Sequence, residues 1–288
     1  MLSSSWESEQ KQNNMVDWTN PKNAWMRNDI RAEITQFQEN QIEAEFSSAV
    51  EQHRIEEIYW VGGEPLMYEQ HWRYMKRIIE LGDGDKLYAR YNTNLSRVDY
   101  RGINLYRDIL ANIRDWQICA SLDGTGHTGE YIRTGLDYSA FLSNFRKGLA
   151  IATNPRQMRL DFTLTLPGMM EVDAMNTLAG DLGVDMLAKV IFSFSPDIIL
   201  SPLALPRAVL DPWVDELAGR SAGAMRDVLL QLKNRPCFEE QWPDTYQQGL
   251  SKGKARVLRL EQIRTQSVTM TDILGSRPDV LKWWMQIA

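Results

Sequence analysis

The feature that most limits how this chain can fold is an order of elements. From Ile55 to Phe194, short β-branched and apolar runs alternate with stretches of helical periodicity. Strands are predicted at 55–61, 86–91, 116–122, 158–166 and 187–194. Helices are predicted between them at 69–81, 105–113, 138–153 and 172–182. Adjacent parallel strands need a long crossover, and a helix is the usual one, so this alternation predicts βαβ units and a parallel sheet. The fold class is therefore α/β, read as a partial (β/α) TIM-like barrel of about five parallel strands. No period of repeat-protein length interrupts the pattern.

The flanks read differently. Residues 1–54 form an N-terminal loop and helix. Met1-Leu2-Ser3-Ser4-Ser5-Trp6 is polar and turn-like, and a loop is expected around Thr19-Asn20-Pro21. Ile30, Ile34, Phe37, Ile42 and Phe46 then fall near helical spacing from about Asn28 to Arg54. Residues 55–195 hold the barrel. Beyond Ser195, Pro196, Pro202, Pro206 and Pro212 break the chain. Helical patterns resume at Trp213–Lys233 and from Val257 to Met285, so 196–288 is read as a C-terminal helical extension packed on the barrel.

The polar residues collect where the strands end. Ile55-Glu56-Glu57-Ile58-Tyr59-Trp60-Val61 stops at Gly62-Gly63-Glu64-Pro65. The glycines lack Cβ, which lets the backbone turn sharply and approach a ligand, and Pro65 ends the pairing. The second strand closes on Asn92, Thr93 and Asn94. The third delivers Ser121, Asp123 and Gly124, with Glu130-Tyr131-Ile132-Arg133 shortly after. In a barrel-like sheet the C-terminal strand ends form the ligand-binding rim. The plain structural alternative is a set of strand-terminating turns, with Arg133 capping a helix or pairing with Glu130.

Bulk numbers remove several functions. The 288 residues carry 32 basic and 38 acidic side chains, a net charge of −6, so no basic field exists to attract nucleic acid or an anionic membrane. The expected location is the cytoplasm, since neither a membrane span nor a signal pattern is found. Only two cysteines are present, Cys119 and Cys237, and the three histidines His53, His71 and His127 have no metal-ligand spacing. No metal-binding residues are assigned. A Ser121–His127 catalytic pairing lacks its third member, and Glu56-Glu57 read as junction charges.

Val61-Gly62-Gly63-Glu64-Pro65-Leu66, then Tyr91-Asn92-Thr93-Asn94-Leu95-Ser96, then Ala120-Ser121-Leu122-Asp123-Gly124 with Arg133, resemble a radical S-adenosylmethionine (SAM) enzyme. The subgroup they resemble is the twitch-domain type of bacterial and phage genomes. The likeness is best from Ile55 to Gly148. It implies that Gly62, Gly63 and Glu64 hold the amino group of SAM, that Pro65 belongs to the same cofactor-binding set, and that Asn92, Thr93 and Asn94 line the pocket beside it. It further implies that Ser121 and Asp123 approach the ribose or methionyl part, and that Arg133 pairs with the SAM carboxylate. Catalytic residues stay unassigned. The family's full activity is reductive cleavage of SAM at a 4Fe-4S cluster, then hydrogen abstraction from a small-molecule or peptide substrate, with a flavodoxin or ferredoxin as reductant.

This chain departs from the family at its defining element, the CxxxCxxC cluster loop. Cys119 lies within a strand and Cys237 beside Pro236, so neither replaces it. In twitch-type relatives, a serine-rich stretch and a tryptophan follow the third cysteine, as in Ser3-Ser4-Ser5-Trp6. The expectation is thus an N-terminal truncation before or at the cluster loop, with the barrel's first strand missing. A cluster-free SAM- or nucleotide-binding module, or an inactive remnant, is the alternative. Trp283 and Trp284 either dock on the barrel or meet a partner.

Overall fold

The computed structural model describes residues 11–191, 193–264 and 268–288. The Met1–Trp6 stretch lies outside the described residues. Helices α1 (Asn28–Phe37) and α2 (Glu43–Glu51) are joined through one wider turn at Gln38–Ile42. The predicted helix is present, but its apolar stripe does not form a core face. No residue of α1 is buried, and Val50 alone is buried in α2. Helical spacing reports backbone geometry, while burial needs a neighbour on the right side.

Strand β1 (Glu57–Trp60) leads to α3 (Glu69–Glu80) and β2 (Tyr88–Thr93). A two-residue antiparallel hairpin follows, β3 (Asp99–Tyr100) and β4 (Ile103–Asn104). Then come β5 (Asp115–Ser121), α4 (Gly126–Ile132), α5 (Tyr138–Ile151), β6 (Met158–Leu164), α6 (Leu166–Met169), α7 (Val172–Leu182) and β7 (Met186–Val190). Two expectations need correction. Residues 105–113 form one wide turn and one 3₁₀ turn in place of a regular helix. Asn92 and Thr93 belong to β2, because its ladder continues through Asn92↔Cys119 and Thr93↔Ala120.

The main sheet has the order β1-β2-β5-β6-β7, and every neighbouring pair is parallel. Strands that neighbour one another in chain order, with crossovers of one hand, place their helices on one side. Burial agrees. Ala89, Tyr91, Ile118, Ala120, Leu160, Phe162 and Leu164 lie beneath the helices and are nearly solvent-free. The opposite face presents Arg90, Gln117, Arg159 and Lys189, half-buried or exposed. Parallel sheets are usually apolar on both faces; this one is polar and open on the second. β1 and β7 are its edges, unpaired on their outer sides among the described residues.

After residue 195 the chain forms α8 (Arg207–Arg220), α9 (Gly223–Lys233), α10 (Phe238–Gln241), α11 (Tyr246–Ile263), α12 (Met270–Leu274) and α13 (Pro278–Gln286). Pro212 was expected to break the chain, yet it lies inside α8. It removes one backbone donor. Burial of Leu210, Trp213, Val214 and Leu217 on the same helix outweighs that loss. One continuous core runs from Val50 to Ile287 and takes in Trp283 and Trp284. No helix among the described residues is long and apolar enough to cross a membrane.

Candidate functional site

Three strand ends meet at one cavity of about 850 Å³. β1 ends at Trp60, and the chain turns through Gly62 (φ +90°) and Gly63 (φ +53°), conformations that favour glycine. At Gly63 a Cβ would sit 2.7 Å from the Tyr68 hydroxyl, the tip of an exposed side chain that can turn aside, so it is the backbone angle that favours glycine here.

Glu64 follows in extended conformation and caps the turn Pro65–Met67. Its Oε1 accepts from Leu66 N–H at 3.2 Å and from the Thr93 hydroxyl at 2.5 Å. Its Oε2 accepts from Asn94 N–H at 2.6 Å. The carboxylate therefore ties the tip of β1 to the tip of β2. Burial raises its pKa above the ordinary carboxylate value, because desolvation of the charge exceeds what the three donors and the nearby Arg133 return. A carboxylate offers about four acceptor positions. Three are taken here, which leaves room for one more donor from a ligand.

Thr93 also accepts from Leu95 N–H, and Asn94 Oδ1 accepts from Ser96 N–H, so both tip residues are fixed locally. Ser121 closes β5 on the same cavity, and Arg133 enters from the C-terminal end of α4. Gly62, Gly63, Glu64, Asn92, Thr93, Asn94, Ser121 and Arg133 are thus brought together around one space. Pro65 and Asp123 are not on its lining. Pro65 is buried under the Glu64 turn. Asp123 is buried and faces inward: Oδ1 accepts from Thr163 N–H at 2.8 Å, and Oδ2 lies 2.8 Å from Arg133 Nε. The Arg133 Nε–H direction misses that oxygen, so the contact is a charge pair with no aligned hydrogen bond, and the buried Nε has no acceptor among the described residues. Within the protein the partner of Arg133 is Asp123, and not the Glu130 that the plain structural alternative offered. Glu130 receives Tyr138 N–H and His127.

The C-terminal helices hold the Arg133 wall in place. Tyr131 donates to Glu261 at 2.7 Å, and Arg264 of the same helical run donates to Tyr131 O and Thr134 Oγ1. The N-terminal segment supplies residues that pattern reading missed: Lys11, Trp25, Met26 and Arg31 form the cavity's outer wall. Lys11 Nζ donates to Met26 O and Asn28 Oδ1, pinning the start of the segment to the start of α1. Tyr68 and Asp137 were missed as well. The hydroxyl crowding Gly63 belongs to the first, and the second caps α5 through Ala140 N–H. No periodicity marks such residues, because none of them shares a strand end.

The two cysteines are no match for an iron–sulfur cluster. Cys119 is buried in β5 and Cys237 begins α10. Burial raises both thiol pKa values, that of Cys237 to about 12, whereas iron ligation needs thiolates. Among the described residues, no three or more His, Cys, Asp or Glu side chains are grouped to hold a metal ion. His127 is exposed and does not line the cavity with Ser121. The sequence matches no protein-family model, and no curated protein matches it.

Proposed function

We propose that this chain binds S-adenosylmethionine on the C-terminal rim of a partial (β/α) barrel of the radical SAM type. The observation that carries the reading is the Glu64 carboxylate, half-buried between two strand tips with one acceptor position open. A buried carboxylate whose charge is under-compensated favours a cationic ligand group, and SAM brings both an ammonium and a sulfonium. Arg133, which lines the cavity while its Nε faces Asp123, supplies the opposite sign for the amino-acid carboxylate. The backbone at Gly62 and Gly63 permits close approach, and Asn92 and Ser121 offer neutral hydrogen-bonding groups for hydroxyls.

In the family that the motifs resemble, SAM at a reduced 4Fe-4S cluster supplies a 5′-deoxyadenosyl radical. Cys119 and Cys237 do not fit such a cluster, so the work assigned to this chain's residues is binding and orientation: Glu64 holds the ammonium, Arg133 the carboxylate, and the strand tips exclude water beneath them.

Isothermal titration of the full chain with SAM, in buffer without iron, tests this. Binding in the micromolar range is expected, weakened at least tenfold by Glu64→Gln and by Arg133→Gln. Absence of binding at millimolar SAM, or equal affinity in the Glu64 variant, refutes the assignment.

A further inference from the structure

We infer that the cavity has a second compartment, seated under the N-terminal segment, for a ligand bearing a phosphate or carboxylate group. The inference rests on reading the floor of the cavity as the SAM site. Its volume, about 850 Å³, is near the top of the range that small-ligand clefts occupy, about 300–1,000 Å³, and leaves space beside a nucleoside-sized molecule.

The two sides of this space differ in charge. The floor presents Glu64, neutral amide and hydroxyl groups from the strand tips, and Arg133, whose charge is already met by Asp123. The outer wall presents Lys11 and Arg31 with the Trp25 indole, and no acidic side chain of residues 11–31 lines the space. Lys11 spends two of its three donors on Met26 O and Asn28 Oδ1, so one remains for a ligand. The guanidinium of Arg31 has no hydrogen bond or ion pair among the described residues; its α1 neighbour Asp29 is taken by Arg27. A planar fork of five donors in the same cavity as an ammonium suits an oxyanion bidentately, and the half-exposed indole gives the remainder of such a ligand an apolar contact.

At the floor Glu64 disfavours an anion beside it and Arg133 is already paired with Asp123, while Lys11 with Arg31 would repel the sulfonium at the wall. The excess of positive charge at the wall therefore favours the anionic ligand there and the sulfonium at the floor.

Titration of the full chain with inorganic pyrophosphate and, separately, malonate tests this and distinguishes the phosphate from the carboxylate form. One of the two should bind, with affinity falling at least fivefold in Arg31→Gln. The anion should leave SAM affinity within twofold of its value without it. Arg31 is exposed on α1, so its replacement does not threaten the fold, and a matched melting temperature confirms that. If neither probe binds, if Arg31→Gln binds both as tightly as the unmodified chain, or if the anion competes with SAM for one site, the second compartment is refuted. Arg31-dependent anion binding without any SAM binding supports the basic compartment and refutes the SAM reading of the floor.

Discussion

Replacing Asp123 separates two interactions that the structure places on one side chain. Its Oδ1 accepts from Thr163 N–H, and its Oδ2 faces Arg133 Nε. Asp123→Asn keeps an oxygen for Thr163 and removes only the charge opposite Arg133. The side chains are 6% and 23% exposed, between the surface limit of about 0–1 kcal/mol and the buried limit of about 3–5 kcal/mol for breaking a pair. A loss of about 2 kcal/mol is expected. Asp123→Ala also orphans the Thr163 donor, adding roughly 1.5–3 kcal/mol, the worth of a hydrogen bond to a charged group. The alanine variant should therefore lose about 4 kcal/mol. Urea unfolding at pH 7 reads both as shifts in midpoint at constant slope. Combining Asp123→Asn with Arg133→Gln should give a coupling energy of about 1–2 kcal/mol, because the second change removes the charge that the first left alone. If asparagine and alanine cost the same, Thr163 does not depend on Oδ1. A coupling below about 0.3 kcal/mol would show that the 2.8 Å contact carries no energy.

Two further outcomes follow from His71 and Gly63. His71 is fully buried, and burial lowers its pKa to about 3, so it is neutral in the folded chain at neutral pH. Its folded pKa lies below the unfolded value near 6.5, so its contribution is complete above pH 6.5 and is lost as pH falls toward 3. Between pH 7.5 and pH 5 this amounts to about 2 kcal/mol. Urea midpoints of the unmodified chain should fall accordingly relative to His71→Phe; parallel pH dependence in the two would refute it. Gly63→Ala adds a Cβ at positive φ against the Tyr68 hydroxyl, whereas Gly183→Ala, also at positive φ, meets no atom within 4 Å. The left-handed backbone costs each about 1–2 kcal/mol. The exposed Tyr68 side chain can turn aside at little cost, so the two should lose similar stability, and Gly63→Ala alone should also weaken SAM binding, measured by melting temperature and titration; unchanged SAM affinity would remove Gly63 from the site.

The uncovered polar face of the sheet bears on how the site works. Apolar burial on the helix side already anchors β2, β5 and β6, so the opposite face is free to carry charge. Lys189 and Asp161 pair there at 2.7 Å, and Arg90 lies over the Tyr59 ring. A rim held rigidly from one side and open on the other combines preorganised side chains with access for a ligand.

What could be read from the order of residues alone was local. Runs such as Trp116–Leu122 alternating with helical stretches required a parallel sheet, because neighbouring parallel strands need a helix-length connection. The glycine pair, Glu64, the Asn92–Asn94 triplet and Ser121 could be placed at strand ends for the same reason, since turn chemistry punctuates a strand within a few residues. Folding decided what distant segments do to one another. It turned Asp123 away from the cavity onto Thr163 and Arg133, left the apolar stripe of α1 without a core to cover, and kept α8 intact through Pro212. It also carried Lys11, Trp25 and Arg31 across the chain to wall the site. Periodicity records the pitch of a backbone over a few residues, and it holds no term for the register and packing that choose which side chains face each other.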